Sequence, residues 1–324
     1  MSDAILSAHN LVKHFGAGGW GAARKVVRAV DDISFEVGPG ETLGVVGESG
    51  CGKSTTARLL THLLAPDSGE VRYRGRVVGT EVPLKTFRRH VQMVFQDSYA
   101  SLNPRMTMLD AVAFGPMVHG IDRAEARRRA GALLDRVGLD PARFGPRYPH
   151  EISGGQRQRV NIARALAFDP DVIVLDEAVS ALDKSVEAQV LNLLTELRRE
   201  RNLTYIFISH DLNVVRHISD RVMVMYLGEV AEIGPTPDIY AAPRHPYSAA
   251  LLAAMPSLDP DRRTEKAPLQ GDPPNPIDPP PGCRFHTRCS QAFAPCGDAA
   301  PVPALVGRRH LAACHLNTAT EAAQ

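Results

Sequence analysis

Residues 47–55 read GESGCGKST, directly after the branched apolar run Thr42–Val46 and before a helical pattern that sets Ala57, Leu60, Leu63 and Leu64 on one face. A strand, a glycine-rich turn and a helix in that order make a phosphate cradle. Gly47, Gly50 and Gly52 let backbone amides turn inward at a helix N-terminus, where the peptide dipoles favour an anion. Ser49, Cys51 and Thr55 complete the loop, Lys53 neutralises β- and γ-phosphates, and the Ser54 hydroxyl ligates Mg2+. Cys51 has no evident chemical role of its own. A glycine-rich turn also produces such a string by chance, so the loop alone does not decide the chemistry.

Residues 172–177 read VIVLDE, a buried strand that ends in two carboxylates. Strand ends are where α/β sheets present chemistry. After a phosphate loop, Asp176 holds Mg2+ through water, and Glu177 orients and deprotonates an attacking water; in isolation such a pair is an ordinary helix cap. Further pieces come in order: Gln96 at the end of a strand, Ser153-Gly154-Gly155-Gln156 opening a helix, Ser180 to Asp183, and His210 after another strand. Ser153 is placed to cap its helix, and the two glycines let the helix amides approach a γ-phosphate.

Strands are expected at Thr42–Val46, Val91–Phe95, Val172–Leu175, Thr204–Ile208 and Arg221–Met225, alternating with helices, so the fold class is α/β. The helix Val186–Leu197 carries Val186, Val190, Leu193, Leu194 and Leu197 on one stripe for packing on the sheet. Between Asp97 and Ser153 the strand pattern gives way to a helical insertion, with an amphipathic helix over Arg123–Gly138 whose Arg127, Arg128 and Arg129 form a solvated face. After Gly234 proline rises, and Pro273–Pro281 (PPNPIDPPP) reads as a stiff extended connector. The division is a first core part at 1–96, a helical subdomain at 97–165, a second core part at 166–235 and a C-terminal extension at 236–324, with no internal repeat.

With 324 residues, 44% of them hydrophobic, the chain fills a core without help. Lys and Arg number 37 against 36 for Asp and Glu, and a formal charge of +1 argues against nucleic acid as a partner. No apolar run approaches the ~20 residues that a membrane helix needs. The opening MSDAILSAHNLVKHF lacks the basic and apolar regions of a secretory signal, which implies a reducing compartment and thiols rather than disulfides.

Taken together, GESGCGKST, VFQD, ISGGQRQR, VIVLDE, SALD and ISHD resemble the consecutive motifs of the ABC ATPases almost end to end. The resemblance implies an ABC ATPase core with a helical subdomain and a Mg-ATP-hydrolysing subunit. In it Gln96 ligates Mg2+ and links nucleotide state to the insertion, His210 contacts the γ-phosphate, and Phe15 lies against adenine, a core phenylalanine being the other reading. It also implies that Ser153, Gly154, Gly155 and Gln156 reach ATP held by a second subunit, with Asp183 at the dimer seam. Ala178 stands where relatives commonly carry proline.

The strings SYASLNPRMTM (98–108), YPHEISGGQRQR (148–159), RHPYSAALLAAMP (244–256), LQGDPPNP (269–276) and GCRFHTRCSQAFAPC (282–296) resemble the ATPases of bacterial oligopeptide and dipeptide importers, in particular the second ATPase of a heterodimeric pair. The partners so implied are a second ABC ATPase subunit or a second copy of this chain, two transmembrane permease subunits and an extracytoplasmic substrate-binding protein, with this chain peripheral on the cytoplasmic face of the inner membrane. The competing class is a soluble ABC ATPase in nucleic-acid or ribosome work.

Cys283, Cys289, Cys296 and Cys314 lie in a short proline-rich tail, which needs a staple. Four thiolates suit Zn2+ or an iron–sulfur cluster, and the long spacings differ from paired CxxC knuckles. His286, His310 and His315 are alternative ligands, and four unliganded buried thiols are the remaining reading. The importer resemblance implies a 4Fe–4S cluster.

Overall fold

The computed structural model describes residues 4–17, 25–255 and 271–317. Pro256, Leu269 and Gln270 of the tail strings and the first three residues of the N-terminal stretch lie outside them. The chain divides into two compact units. One is formed by Val37–Glu41 and Tyr73–Ser209 with the N-terminal residues up to Leu6, the other by Ser7–Glu36, Thr42–Arg72 and the chain from His210 onward.

In the second of these, β1 (Leu6–Ala17), β2 (Lys25–Val37) and β4 (Ser68–Tyr73) are neighbours in the order β2-β1-β4. The strand that feeds the phosphate loop, β3 (Thr42–Val46), is buried at all five positions, as a strand covered on both faces must be. It runs parallel to β9 (Arg221–Tyr226), with Val46 opposite Val224. Beyond it β10 (Glu229–Pro235), β12 (His310–Ala312) and β11 (Ala304–Gly307) follow in antiparallel pairings. The helices here are α1 (Lys53–Leu60), α8 (Leu212–Ile218), α9 (Thr236–Ala241) and α10 (Pro246–Ala253), and α8 packs on β3.

The other unit holds the short β5 (Arg76–Val77), then α2 (Leu84–His90) and a parallel trio, β6 (Val91–Val94), β7 (Val172–Asp176) and β8 (Thr204–Ile208). Its helices are α3 (Met108–Val118), α4 (Arg123–Arg136), α5 (Pro141–Phe144), α6 (Gly154–Leu166) and α7 (Lys184–Arg201). The first three begin where a side-chain oxygen meets the free amides of the opening turn: Thr107 for α3, Asp122 for α4 and Asp140 for α5. Asn202, left-handed at φ 50°, ends α7.

The α/β class holds, with adjusted ends. The strand from Val91 stops at Val94, and that from Val172 runs on to Asp176. The helix expected at Val186–Leu197 spans Lys184–Arg201, with Val190, Leu193, Leu194 and Leu197 buried and Val186 half-buried. The amphipathic helix ends at Arg136 rather than Gly138. Its basic face is paired with carboxylates, Glu125 of the same helix being held down to about 2 by hydrogen bonds from Arg128 and Arg129, and Arg127 being bound to Asp110 of α3. Pro273–Pro281 is not uniformly extended, because the Asn275 side chain accepts from Ile277 N at 2.9 Å and turns the chain there.

Helices α3, α4 and α6 pack on one another, and Leu134 of α4 is fully buried. Leu134→Ala is expected to cost about 2–5 kcal/mol. A chemical denaturation curve reads it as a lowered midpoint, and an unshifted midpoint removes Leu134 from the core.

Candidate functional site

The phosphate loop begins where β3 ends, and two of its glycines are fixed by the backbone they run against. A Cβ on Gly47 would lie 2.2 Å from the Met225 carbonyl oxygen, and one on Gly52 would lie 2.2 Å from that of Ala29. Both also have positive φ, 149° and 106°. At the crest Ser49 and Gly50 are exposed. Gly52 precedes α1 and, having no side chain, gives that helix no side-chain cap. Lys53 is buried, its Nζ donating to Gly47 O at 2.8 Å and Glu48 O at 2.9 Å. Ser54 and Thr55 are half-buried.

Cys51 is 3% exposed. Burial pushes its thiol up, against the pull of the Lys53 ammonium, so it is a packed neutral group between Lys53 and Gly47. Phe15 is exposed, not a core residue, with the Lys13 ammonium 5.8 Å from its ring centre. His210 is exposed beside Asp211, whose carboxylate caps α8.

In the other unit Asp176 is buried as the last residue of β7, and Glu177 follows with φ 46°. A left-handed glutamate costs roughly 1–3 kcal/mol, so its surroundings must impose it. They do: Glu177 N donates to Ile208 O at 3.0 Å, and Ser180 donates to Glu177 O from N at 3.2 Å and from Oγ at 3.0 Å. Glu177 Oε2 accepts from Gln96 Nε2 at 2.9 Å, which orients the carboxylate and leaves the Gln96 amide oxygen as an acceptor. Within this unit the oxygen donors of Gln96 and Asp176 are of the kind that suits a hard cation such as Mg2+.

At the start of α6, Ser153 Oγ accepts from Gln156 N at 3.3 Å while Gln156 Oε1 accepts from Ser153 N at 3.0 Å, a closed capping box. Its glycines differ. A Cβ on Gly155 would lie 2.4 Å from Val186 Cγ1, whereas one on Gly154 would come no closer than 3.8 Å to Arg157. Gly155 is thus required for the approach to α7, and Gly154 is not required by packing. Asp183 is the exposed N-cap residue of α7.

Among the described residues no three His, Cys, Asp or Glu side chains are grouped to hold a metal ion, so the geometry does not bear out a cysteine metal centre. The thiols do influence one another: burial pushes Cys283 up to about 11, and charges on Cys314, Cys296 and Cys289 add to it. His310 is bound to the buried Glu232 at 2.7 Å and His286 Nδ1 meets Cys283 O at 2.8 Å, so both have other partners.

Two residues to which the sequence assigned no role touch the phosphate loop. Arg288 meets the Glu48 carboxylate with both terminal nitrogens, at 2.7 and 3.0 Å, and Tyr247 Oη accepts from Glu48 N at 2.9 Å. Arg284, four residues before Arg288, binds Asp31, the Leu227 carbonyl and Glu229. The signal in the sequence was the pair of arginines beside Cys283 and Cys289, and the His-Pro-Tyr of residues 245–247.

The family model described as "ABC transporter" matches residues 30–180, and that described as "Oligopeptide/dipeptide transporter, C-terminal region" matches residues 231–296. The chain belongs to the ABC transporter ATPases, in the oligopeptide/dipeptide branch. It is 47% identical over 318 residues to the putative oligopeptide transport ATP-binding protein YkfD of Bacillus subtilis, covering 96% of this chain and 95% of that one. It is 47% identical over 305 residues to the dipeptide transport ATP-binding protein DppF of Escherichia coli, covering 93% and 91%. Among solved structures it is similar to the dimeric post-hydrolysis ATP-binding cassette MJ0796 bound to ADP and Pi, with TM-score 0.62 and 29% identity over 71% of this chain and 98% of that one. The ABC ATPase core and the importer-type tail expected from the sequence are thereby borne out, and ATP is the substrate of this ATPase family.

Gly155→Ala is expected to destabilise by about 1–3 kcal/mol through overpacking against Val186, while Gly154→Ala leaves the unfolding midpoint nearly unmoved. Equal midpoints for the two variants remove the packing distinction.

Proposed function

We propose that this chain is the ATP-hydrolysing subunit of an ABC importer for di- or oligopeptides. The observation that carries the reading is the match along nearly the whole length to peptide-transport ATP-binding proteins, tail included. A soluble ABC ATPase in nucleic-acid or ribosome work is not favoured, since residues 231–296 match the oligopeptide/dipeptide transporter C-terminal region.

In this reading the amides of residues 47–55 and the Lys53 ammonium bind the phosphates, with Phe15 against adenine. Ser54, Gln96 and Asp176 hold Mg2+, which supplies neutralisation of the phosphate oxygens. Glu177, oriented by Gln96, accepts the proton of the attacking water, and His210 contacts the γ-phosphate. Ser153, Gly154, Gly155 and Gln156 bind the ATP of a second subunit, with Asp183 at the seam. ATP then favours the closed pair by its differential affinity, and hydrolysis reverses the preference. The division at residues 96, 165 and 235 belongs to the same reading.

The remaining partners are two permease subunits and an extracytoplasmic substrate-binding protein, which places the chain peripherally on the cytoplasmic face of the inner membrane. Among the described residues no helix is long and apolar enough to cross a membrane, so the channel is assigned to other chains. Co-purification with two membrane proteins tests the assembly, and their absence from a tagged-chain preparation in its own host rejects it. A 4Fe–4S cluster on Cys283, Cys289, Cys296 and Cys314 rests on the sequence resemblance, with Zn2+ as the alternative. Anaerobic purification with iron, sulfide and zinc assays decides, and a folded, metal-free protein ends both.

Glu177→Gln is expected to lower turnover by about 10²–10⁴ while ATP binding persists, and to collect in an ATP-bound pair with its companion subunit. Near-normal hydrolysis removes Glu177 from the role of base; a variant that stays monomeric with ATP and its companions overturns the closure mechanism.

A further inference from the structure

The second residue of the phosphate loop is an acid. Glu48 lies between Gly47 and Ser49, in a segment whose task is to attract a polyanion, and an uncompensated carboxylate there opposes that task. Its compensation comes from far along the chain. Arg288 meets Glu48 with two parallel hydrogen bonds, Nη1 to Oε2 at 2.7 Å and Nη2 to Oε1 at 3.0 Å, the fork geometry in which guanidinium and carboxylate bind most strongly. The Arg288 side chain is 6% exposed and that of Glu48 21%, so the pair is little screened by solvent.

Arg288 is itself held. Its Nη1 reaches Tyr226 Oη at 3.3 Å and its Nη2 reaches Gly271 O at 3.0 Å. Its backbone N bonds Phe285 O at 3.0 Å, and Phe285 packs edge-on to Tyr226 with ring centres 5.4 Å apart. A second contact acts on the same loop residue: Tyr247, fully buried, accepts the Glu48 N–H. The side chain and the backbone of Glu48 are thus both gripped by residues of the C-terminal tail, within one compact unit.

We infer that Arg288 and Tyr247 are positioning residues for the phosphate loop, through which the C-terminal extension sets the affinity of the cassette for nucleotide. Arg288 neutralises Glu48 and pins its side chain, and Tyr247 fixes the direction of its amide. Neither touches the reacting atoms. The extension is therefore part of the nucleotide site's electrostatics.

This inference rests on the ATPase reading, and ADP binding by the unaltered chain is the control that separates the two: no binding there defeats the reading itself. The test is the ADP dissociation constant of the purified full chain, measured by titration calorimetry, for Arg288→Gln and for Arg288→Gln combined with Glu48→Gln. Arg288→Gln is expected to weaken ADP about tenfold, by leaving Glu48 unpaired beside the phosphates. The double variant, with no unpaired carboxylate, is expected to recover most of that loss, a coupling that simple loosening of the tail does not produce. An Arg288→Gln protein that folds and binds ADP within twofold of the unaltered chain overturns the inference, as does a double variant no better than the single one. If Arg288→Gln does not fold, Arg288→Lys carries the test. It keeps the charge but not the fork, so a loss of about threefold supports the inference and no loss overturns it.

Discussion

There is no room for a side chain where the phosphate loop passes β9 and β2, and the rest of the nucleotide unit is arranged around that fact. Gly47 and Gly52 each place their Cα where an added carbon would lie 2.2 Å from a carbonyl oxygen, of Met225 and of Ala29. Because these neighbours belong to strands, the path of the loop is set by the sheets rather than by the loop's own preferences. Lys53 can then begin α1 in a fixed position, with its ammonium turned onto the carbonyls of Gly47 and Glu48. A loop whose path is constrained in this way has less backbone freedom to lose when it binds a ligand.

The same reasoning applies at the end of β7 in the other unit. A left-handed glutamate is unfavourable by itself, and hydrogen bonds from and to Glu177 backbone groups, with Ile208 and Ser180 as partners, hold it there. The consequence is a carboxylate turned to meet Gln96 instead of continuing the alternation of the strand. At both places an unusual backbone is held by the strands and turns beside it. The reactive groups are few, and most of the geometry they need is supplied by main-chain neighbours.

Much of this was legible in the sequence because it is local. The order strand, GESGCGKST, helix can be read from residues 42–64, the carboxylates after Val172–Leu175 from six letters, and the cap of α6 from Ser153 and Gln156 alone. Element ends were less legible: Val91–Phe95 lost its last residue and Arg123–Gly138 its last two, since the final turn or pair depends on neighbours rather than on periodicity. What could not be read was pairing between residues distant in sequence. Nothing near Glu48 announces that its counter-charge is Arg288, 240 positions away, and nothing near Gly155 announces Val186.

The cysteine tail shows how composition alone can mislead about attachment. Proline content and scattered cysteines mark residues beyond Gly234 as an appendage, yet Tyr247 is fully buried and Phe285 nearly so, and with Tyr226 they form a cluster with ring centres 4.6 to 5.4 Å apart. Aromatic contacts of this kind contribute roughly 0.5–1.5 kcal/mol each beyond the area they bury. Glu232 adds a polar anchor, fully buried and satisfied by the amides of Arg244 and His245 and by His310. A buried carboxylate with that many donors tolerates little displacement of any of them, because each lost bond leaves charge unpaired in a low dielectric. The tail is therefore held to the strands that flank the phosphate loop by a core of its own making, before any metal is considered.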